Sequence, residues 1–447
     1  MSGAAVAHRA SEVERELLRR WPESRLEPSL DRIRAVSDAL GGPQHAVPVV
    51  HVTGTNGKTT TARAIDDLLR CAGLRVGRYT SPHLESMRER IVVDGAPLDE
   101  ESFAAVHDRL RPVLARVEDR SGPLSFFEVV TAMAFQAFAE ADLDAVVLEV
   151  GMGGTWDATN VADGVVSVVT PIALDHTEYL GPDVAAIARE KAGIVKAGST
   201  AVLADQPPAA LAVLLDRADE VGATVVDARR AVRILGRTPR DDGQLLDLRG
   251  EEREHRDLVL PLLGLHQAGN AATAVTAVEA FLARAGRSLG TATVRDALAR
   301  LRSPGRLETV REVPRVWVDA SHNPAGMAAT VAAVRELPSV DRLVVVLAVL
   351  EGKDADSMLR ALRGSADEVL ATGNTSPRCL PAAALAARAA GVLGAERVGL
   401  EPELPQALRA ALDRASGTGT GATAVLVTGS VVTAGEARAL LRPESSS

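Results

Sequence analysis

A lysine followed by three threonines, Lys58-Thr59-Thr60-Thr61, closes the stretch HVTGTNGKTTT at residues 51–61. Gly54 and Gly57 just ahead of them let a backbone turn tightly enough for successive N–H groups to face one anion, and the helical pattern that follows would add its positive N-terminal end. In that setting Gly54, Thr55, Asn56 and Gly57 cradle phosphate, and Lys58 reaches the β- and γ-phosphates of a nucleotide. Thr59 would offer a hydroxyl oxygen to magnesium, a hard cation that takes oxygen ligands. The common form of such a loop has another glycine five residues before Gly57, where this chain has Val52. The loop is a shortened variant. It implies a bound nucleotide without saying what the nucleotide drives.

Three further groups decide that question. The segment VVLEVGMGGTWDATN (146–160) ends an apolar run on Glu149, directly before a glycine-rich turn. A carboxylate there is costly unless neighbouring N–H groups satisfy it or a cation meets it, and either reading fits the segment alone. His176 follows another apolar run in LDHTEYLG, and Lys191 lies in EKAGIVK. One lone histidine is more often a satisfied core residue than a ligand, but Lys58, Glu149 and His176 all follow strand-like runs and so share one end of a sheet. The chain holds four lysines, at 58, 191, 196 and 353, against 46 arginines. Where arginine is otherwise the cation of choice, each retained lysine is a candidate for a specific role; Lys196 reads as a solvated surface residue.

The elements that must position these groups form an α/β pattern. From about residue 47 short β-rich runs alternate with helical stretches. VPVVHVTG reads as a buried strand, and Ala62, Ile65, Leu68, Leu69 and Ala72 behind it fall near helical spacing. Further strands are expected at 144–150, 165–170 and 200–204, with a helix through FFEVVTAMAFQAFAEA. The stretch 224–262 reads as short antiparallel strands inserted before a helix near Gln267. Pro304 and Gly305 in LRSPGRLE break the helical pattern and mark a hinge at 303–306. The alternation then restarts with strand candidates RVWVDA, RLVVVLAVL, DEVLATG and TAVLVTGS. The expected organisation is an ATP-binding domain over 1–302 and a smaller Rossmann-like domain over 307–447. GTGTGAT (417–423) is a flexible turn.

At 447 residues the chain suits two domains, and 46% hydrophobic with 24% charged residues is ordinary for a soluble protein. A net charge of -9 disfavours broad contact with a nucleic-acid backbone. Cys71 and Cys379 stand far apart with no metal-ligand spacing around them. The N-terminal residues lack a signal-peptide run, and no stretch has the roughly 18 apolar residues needed to cross a membrane, so a cytoplasmic protein without membrane partners is expected.

Eleven segments then occur in one order: HVTGTNGKTTT, TSPHL, ERIVVDG, FFEVVTAMAF, EVGMGGTWDATN, LDHTEYLG, EKAGIVK, GLHQAGNAA, SPGRLE, DASHNPAG and TGSVVTAGEAR, across positions 51–438. In this the chain resembles the folylpolyglutamate synthase and dihydrofolate synthase family within the Mur ligase superfamily, which uses the shortened loop. The resemblance implies ATP-dependent amide-bond formation, with a substrate carboxylate phosphorylated to an acyl phosphate that the amine of L-glutamate then attacks. The acceptor would be dihydropteroate, a folate, or both, its pterin held by LEPSLDRIRAV and the loop after Ser81. It implies two magnesium sites, one held by Thr59, Ser81 and Glu149 and a second by His176, Lys191 and Glu149. In the superfamily this lysine is often carbamylated, which turns a cation into a metal-binding anion. Thr60 belongs to the nucleotide loop, Asn270 would contact the adenine or ribose side, and Arg306 the phosphates. Asp319 and His322 would reach the nucleotide from the second domain. Lys353 and Asp354 of EGKD match a family segment without a firm role. A monomer is the expected state.

The chain departs from the family at Thr155, where arginine is usual, and at Thr59-Thr60, where Gly-Ser is usual. The second change keeps a hydroxyl. The first removes a fixed cation beside a presumed catalytic strand end and leaves open a ligase acting on a different carboxylate. A nucleotide-binding regulator without ligase activity is the reading of another class; no Asn-Lys-x-Asp guanine signature supports it.

Overall fold

A computed structural model describes residues 3–22, 27–250, 253–416 and 422–442. The first domain is built on an eight-stranded sheet. Its strands run, edge to edge, Ala96–Pro97, Ile91–Val93, Val76–Tyr79, Ala145–Glu149, Val49–Thr53, Gly164–Val169, Thr200–Leu203 and Thr224–Asp227. From Val76–Tyr79 onward all pairings are parallel. Central parallel strands are covered on both faces and read as continuous apolar runs; every residue of Val49–Thr53 and Ala145–Glu149 is accordingly buried. The helix Lys58–Cys71 follows the central strand and sends Ala62, Ile65, Leu68 and Leu69 into the core.

The second domain carries a six-stranded sheet ordered Glu308–Glu312, Arg315–Val318, Thr423–Thr428, Arg342–Leu347, Glu368–Ala371 and Val398–Leu400. Only its first pair is antiparallel. The molecule therefore has the expected α/β architecture, a phosphate-loop domain followed by a smaller Rossmann-like one. Between them, Ser303 Oγ lies 2.9 Å from Thr60 Oγ1 on the loop helix, and Leu84 of the first domain packs on the second domain's core.

Two sequence expectations change. The stretch 224–262 holds the antiparallel sheet Arg233–Arg240, Gly243–Arg249 and Glu254–Leu260, but Thr224–Asp227 pairs in parallel with Thr200–Leu203 and closes the main sheet. The second domain has six strands where four were read, because Glu308–Glu312 and Val398–Leu400 are half-exposed edges without an apolar run. Residues 417–421 of the low-complexity turn lie outside the described residues.

Candidate active site

The loop Gly54–Gly57 leaves the central strand with Gly54 at φ 145° and Gly57 at φ 87°, conformations that favour glycine. Side-chain space is closed as well: a Cβ on Gly54 would sit 1.9 Å from Thr170 Oγ1, and one on Gly57 2.4 Å from Asn270 Oδ1. Thr55 fixes the turn from outside, its Oγ1 donating to Ala173 O and accepting from Ala173 N, both at 3.1 Å. Gly57 begins the loop helix without a capping side chain, so no side chain satisfies the first amides of the helix. That end of the helix is built to receive an anion.

Around it stand charges with little to neutralise them. Lys58 Nζ bonds to the carbonyls of Gly54 and Thr55 at 3.1 and 3.3 Å, and Lys191 Nζ to the same Gly54 carbonyl at 2.7 Å. Burial lowers the pKa of both, against the pull of nearby carboxylates; for Lys191, 3% exposed, burial and the charge of Lys58 bring it to about 7. Glu149 accepts from Thr59 Oγ1 at 2.7 Å and Ser81 N at 3.3 Å. Its burial raises the carboxyl above the ordinary range, although Lys58 and the Thr59 hydroxyl oppose the shift. The Thr59 hydroxyl and the Ser81 amide thus meet at the Glu149 carboxylate.

His176 belongs to a different cluster. At φ 49° it opens a short helix, and its donor atoms lie with those of Asp175 and His322 inside 4.8 Å of one another. Asp175 is the centre: Lys353 Nζ donates to it at 2.6 Å, Asn323 Nδ2 at 3.1 Å, and His322 Nε2 lies 3.2 Å away. Burial alone would raise Asp175, but the His322 hydrogen bond and the charges of His322, Lys353 and His176 outweigh it and hold the acid well below the usual range. His176 is brought down to about 3 by burial and stays a neutral imidazole, 3.3 Å from Lys353 Nζ. Asp175 and His176 come from the first domain, His322, Asn323 and Lys353 from the second, so this cluster closes the cleft. Among the described residues no hydrogen bond or ion pair joins His176 or Lys191 to Glu149.

The remaining expected residues divide. Arg306 lines the cleft, its Nη1 3.3 Å from Gly305 O. Asn270 sits against Gly57 and donates to Gln267 Oε1 at 2.9 Å. Thr60 is turned to Ser303. Asp319, 4% exposed, accepts from Leu307 N, Ser321 N and Thr330 Oγ1, so its oxygens are engaged within the second domain. Asp354 caps its own helix through Ser357 N. Thr155 does not line the cleft: its N and Oγ1 both donate to Glu190 O, beside Lys191. The fourth lysine, Lys196, bonds to Asn160 O, Ala162 O and Asp163 away from the site.

The sequence reading passed over Asp175 and Asn323, although each stands directly beside a chosen histidine, in LDH and HNP. At the cleft's other end it named the segment LEPSLDRIRAV, which holds Arg32, but not the individual side chains or their aromatic partners. There Arg32 lies 4.9 Å over the Trp21 ring and donates to Glu128 Oε1 at 3.0 Å, and Arg90 lies 4.9 Å over Phe126. The cleft measures about 1720 Å³. A small-molecule pocket is commonly about 300–1,000 Å³, so this one has room for a nucleotide and a second large ligand together.

Comparison with known proteins gives the same architecture. Residues 305–431 match the family described as Mur ligase, glutamate ligase domain. The chain is 44% identical, over 96% of its length and 93% of the relative's, to the dihydrofolate synthase/folylpolyglutamate synthase of Mycobacterium tuberculosis. The solved folylpolyglutamate synthase of that organism complexed with ADP superposes with a TM-score of 0.93 at 42% identity, covering 98% of this chain and 99% of that one. The Escherichia coli FolC protein in complex with DHPP and ADP gives 0.83 at 31%, covering 97% of each.

Proposed function

This chain belongs to the dihydrofolate synthase/folylpolyglutamate synthase family, and from that membership we propose how its cleft works as an ATP-dependent glutamate ligase. The acceptor is dihydropteroate, the γ-carboxylate of a folate, or both. The observation that carries the reading is the set of under-neutralised charges around Gly54: Lys58, Lys191 and an uncapped helix end face a cleft large enough for two ligands.

A carboxylate is a poor acyl donor until one of its oxygens becomes a phosphate leaving group. In the proposed sequence an acceptor oxygen attacks the γ-phosphorus of ATP, giving an acyl phosphate and ADP. The glutamate amine then attacks the acyl carbon and releases phosphate. Lys58 and the first amides of the loop helix hold the transferring phosphoryl group, the interactions that such a transition state strengthens. Thr59 Oγ1 and the Glu149 carboxylate are hard oxygen donors that fit magnesium, and Ser81 lines the cleft beside them with a third hydroxyl to offer. Bound there, the ion supplies charge neutralisation at the phosphoryl oxygens. Charged Lys191 has no lone pair for a metal; a pKa near 7 gives it the neutral amine from which a carbamate, a metal-binding anion, would form. Asn270 and Arg306 take the nucleoside and phosphate sides, and Arg32, Arg90 and Phe127 the acceptor's ring end. His322 and Lys353, arriving with the second domain, help shut water away from the acyl phosphate. We carry a cytoplasmic monomer with a hinge at 303–306 as part of the same reading.

The test is ATP turnover to ADP with magnesium and L-glutamate, run separately with dihydropteroate and with a reduced folate monoglutamate, products identified by mass. One added glutamyl unit on either acceptor is expected. ATP binding with no glutamyl product from either would contradict the reading.

A further inference from the structure

Asn323 divides its amide between two tasks. Its oxygen caps the Pro324–Arg335 helix, accepting from Gly326 N at 2.8 Å. Its nitrogen crosses the cleft, donating to Asn56 Oδ1 at 3.0 Å and Asp175 Oδ2 at 3.1 Å. Asn56 returns a longer contact, Nδ2 to Asn323 Oδ1 at 3.4 Å. With the side chain 2% exposed, the amide is withdrawn from water and held at both ends. His322 and Lys353 also cross the cleft, but they reach Asp175 and His176. Among the described residues, Asn323 is the second-domain side chain that bonds to the Gly54–Gly57 loop.

We propose that Asn323 is a positioning residue that sets the second domain in register with the phosphate loop, its oxygen held chiefly by its own helix and its nitrogen by the first domain. The inference rests on the ligase reading, since it concerns closure over a nucleotide and an acceptor. The reasoning is geometric. A buried amide has two donor hydrogens, and here they have acceptors on two different strand ends of the first domain, Asn56 after the central strand and Asp175 after its neighbour. One side chain thereby fixes the second domain against two points of the catalytic edge. Reacting groups must be held within a fraction of an ångström, and a misplacement of about 1 Å costs on the order of 10²-fold in rate.

Asn323→Asp separates the two tasks. Aspartate caps a helix about as well as asparagine, but it donates no hydrogen bond to Asn56 and sets a carboxylate against Asp175. The experiment measures kcat and KM for ATP on the full chain, with dihydropteroate, L-glutamate and magnesium. It compares wild type, N323D, N56A and the double variant, with thermal melts in parallel. Asn323→Ser, another cap-competent change, is the second variant should N323D not fold. Expected are a kcat at least tenfold lower in N323D, a KM for ATP within threefold of wild type, and a melting temperature close to wild type. The double variant should be no slower than the slower single variant, because both changes remove one bridge. A wild-type kcat in N323D, or effects that multiply in the double variant, overturns the proposal. A wild type that makes no glutamyl product from dihydropteroate or from a folate overturns the ligase reading instead, so the two failures are distinct.

Discussion

Asp66 and Thr59 stand about two turns apart on the Lys58–Cys71 helix, and the charges around them are handled in opposite ways. Asp66 is fully buried and held from two sides, by Arg70 Nε at 3.0 Å and by the Arg78 guanidinium, itself nearly buried. Arg70 also grips Asp67. At the other end Lys58 and Lys191 lean on backbone carbonyls, two cations share Gly54 O, and Glu149 is pushed toward its neutral form by burial. Both sets are expensive to desolvate. The first is closed by the chain itself and acts as scaffold, whereas the second is left open, and in the proposed reading a polyanion and its metal would close it. Unmet charge inside a fold is where a ligand belongs.

Breaking each set separately should give opposite phenotypes. The largest effect is on stability: Asp66→Ala leaves Arg78 buried without its acid and should cost about 3–5 kcal/mol in denaturant unfolding, with kcat per folded molecule within about twofold of wild type. Activity loss without stability loss would break the comparison. Next, Lys58→Met should lower kcat by about 10²–10³-fold, the usual loss for a donor at a developing charge, while unfolding stability holds or rises because a desolvated cation is gone.

The third effect depends on pH. Lys191 is at about 7 in the folded chain against 10.5 for an ordinary lysine. The unfolded chain therefore binds more protons between those values, and folding stability gains as pH rises through that window. Below about pH 7 the folded chain carries the full cost of burying the charge. Lys191→Met should accordingly be more stable than wild type at pH 7, by on the order of a few kcal/mol, with the gap closing toward pH 10. A gap that stays constant with pH would remove Lys191 from the unmet set. Smallest of all, Thr59→Ser keeps the hydroxyl that faces Glu149 and should leave kcat within about threefold.

How much of this was written plainly in the sequence follows the same division. Gly54, Gly57, Lys58 and Thr59 were legible because a phosphate loop is a local device: strand, glycines, cation and helix are contiguous. Glu149 was legible because it ends an apolar run. Asp175 and Asn323 were not, because their meaning lies in contacts between residues separated by 148 positions. The strand Val76–Tyr79 was hidden too. Its Gly77 and Arg78 interrupt the apolar signal, and Arg78 enters the core only because Asp66 waits there. Of the Arg-rich composition's four lysines, Lys58, Lys191 and Lys353 all gather at the cleft. Their rarity was visible in the sequence, their meeting point was not. Thr155 is read by its surroundings alone: in the fold its side chain fastens a turn at Glu190, a contact that no local pattern announced.

The most direct test follows one oxygen atom. With dihydropteroate labelled by ¹⁸O in its carboxylate, and with ATP, magnesium and L-glutamate supplied, an acyl phosphate must pass one labelled oxygen to the phosphate released when the amide forms. Mass analysis of that phosphate should show one ¹⁸O per glutamyl product. Glutamyl product accompanied by unlabelled phosphate would contradict carboxylate activation at the Lys58 end of the cleft.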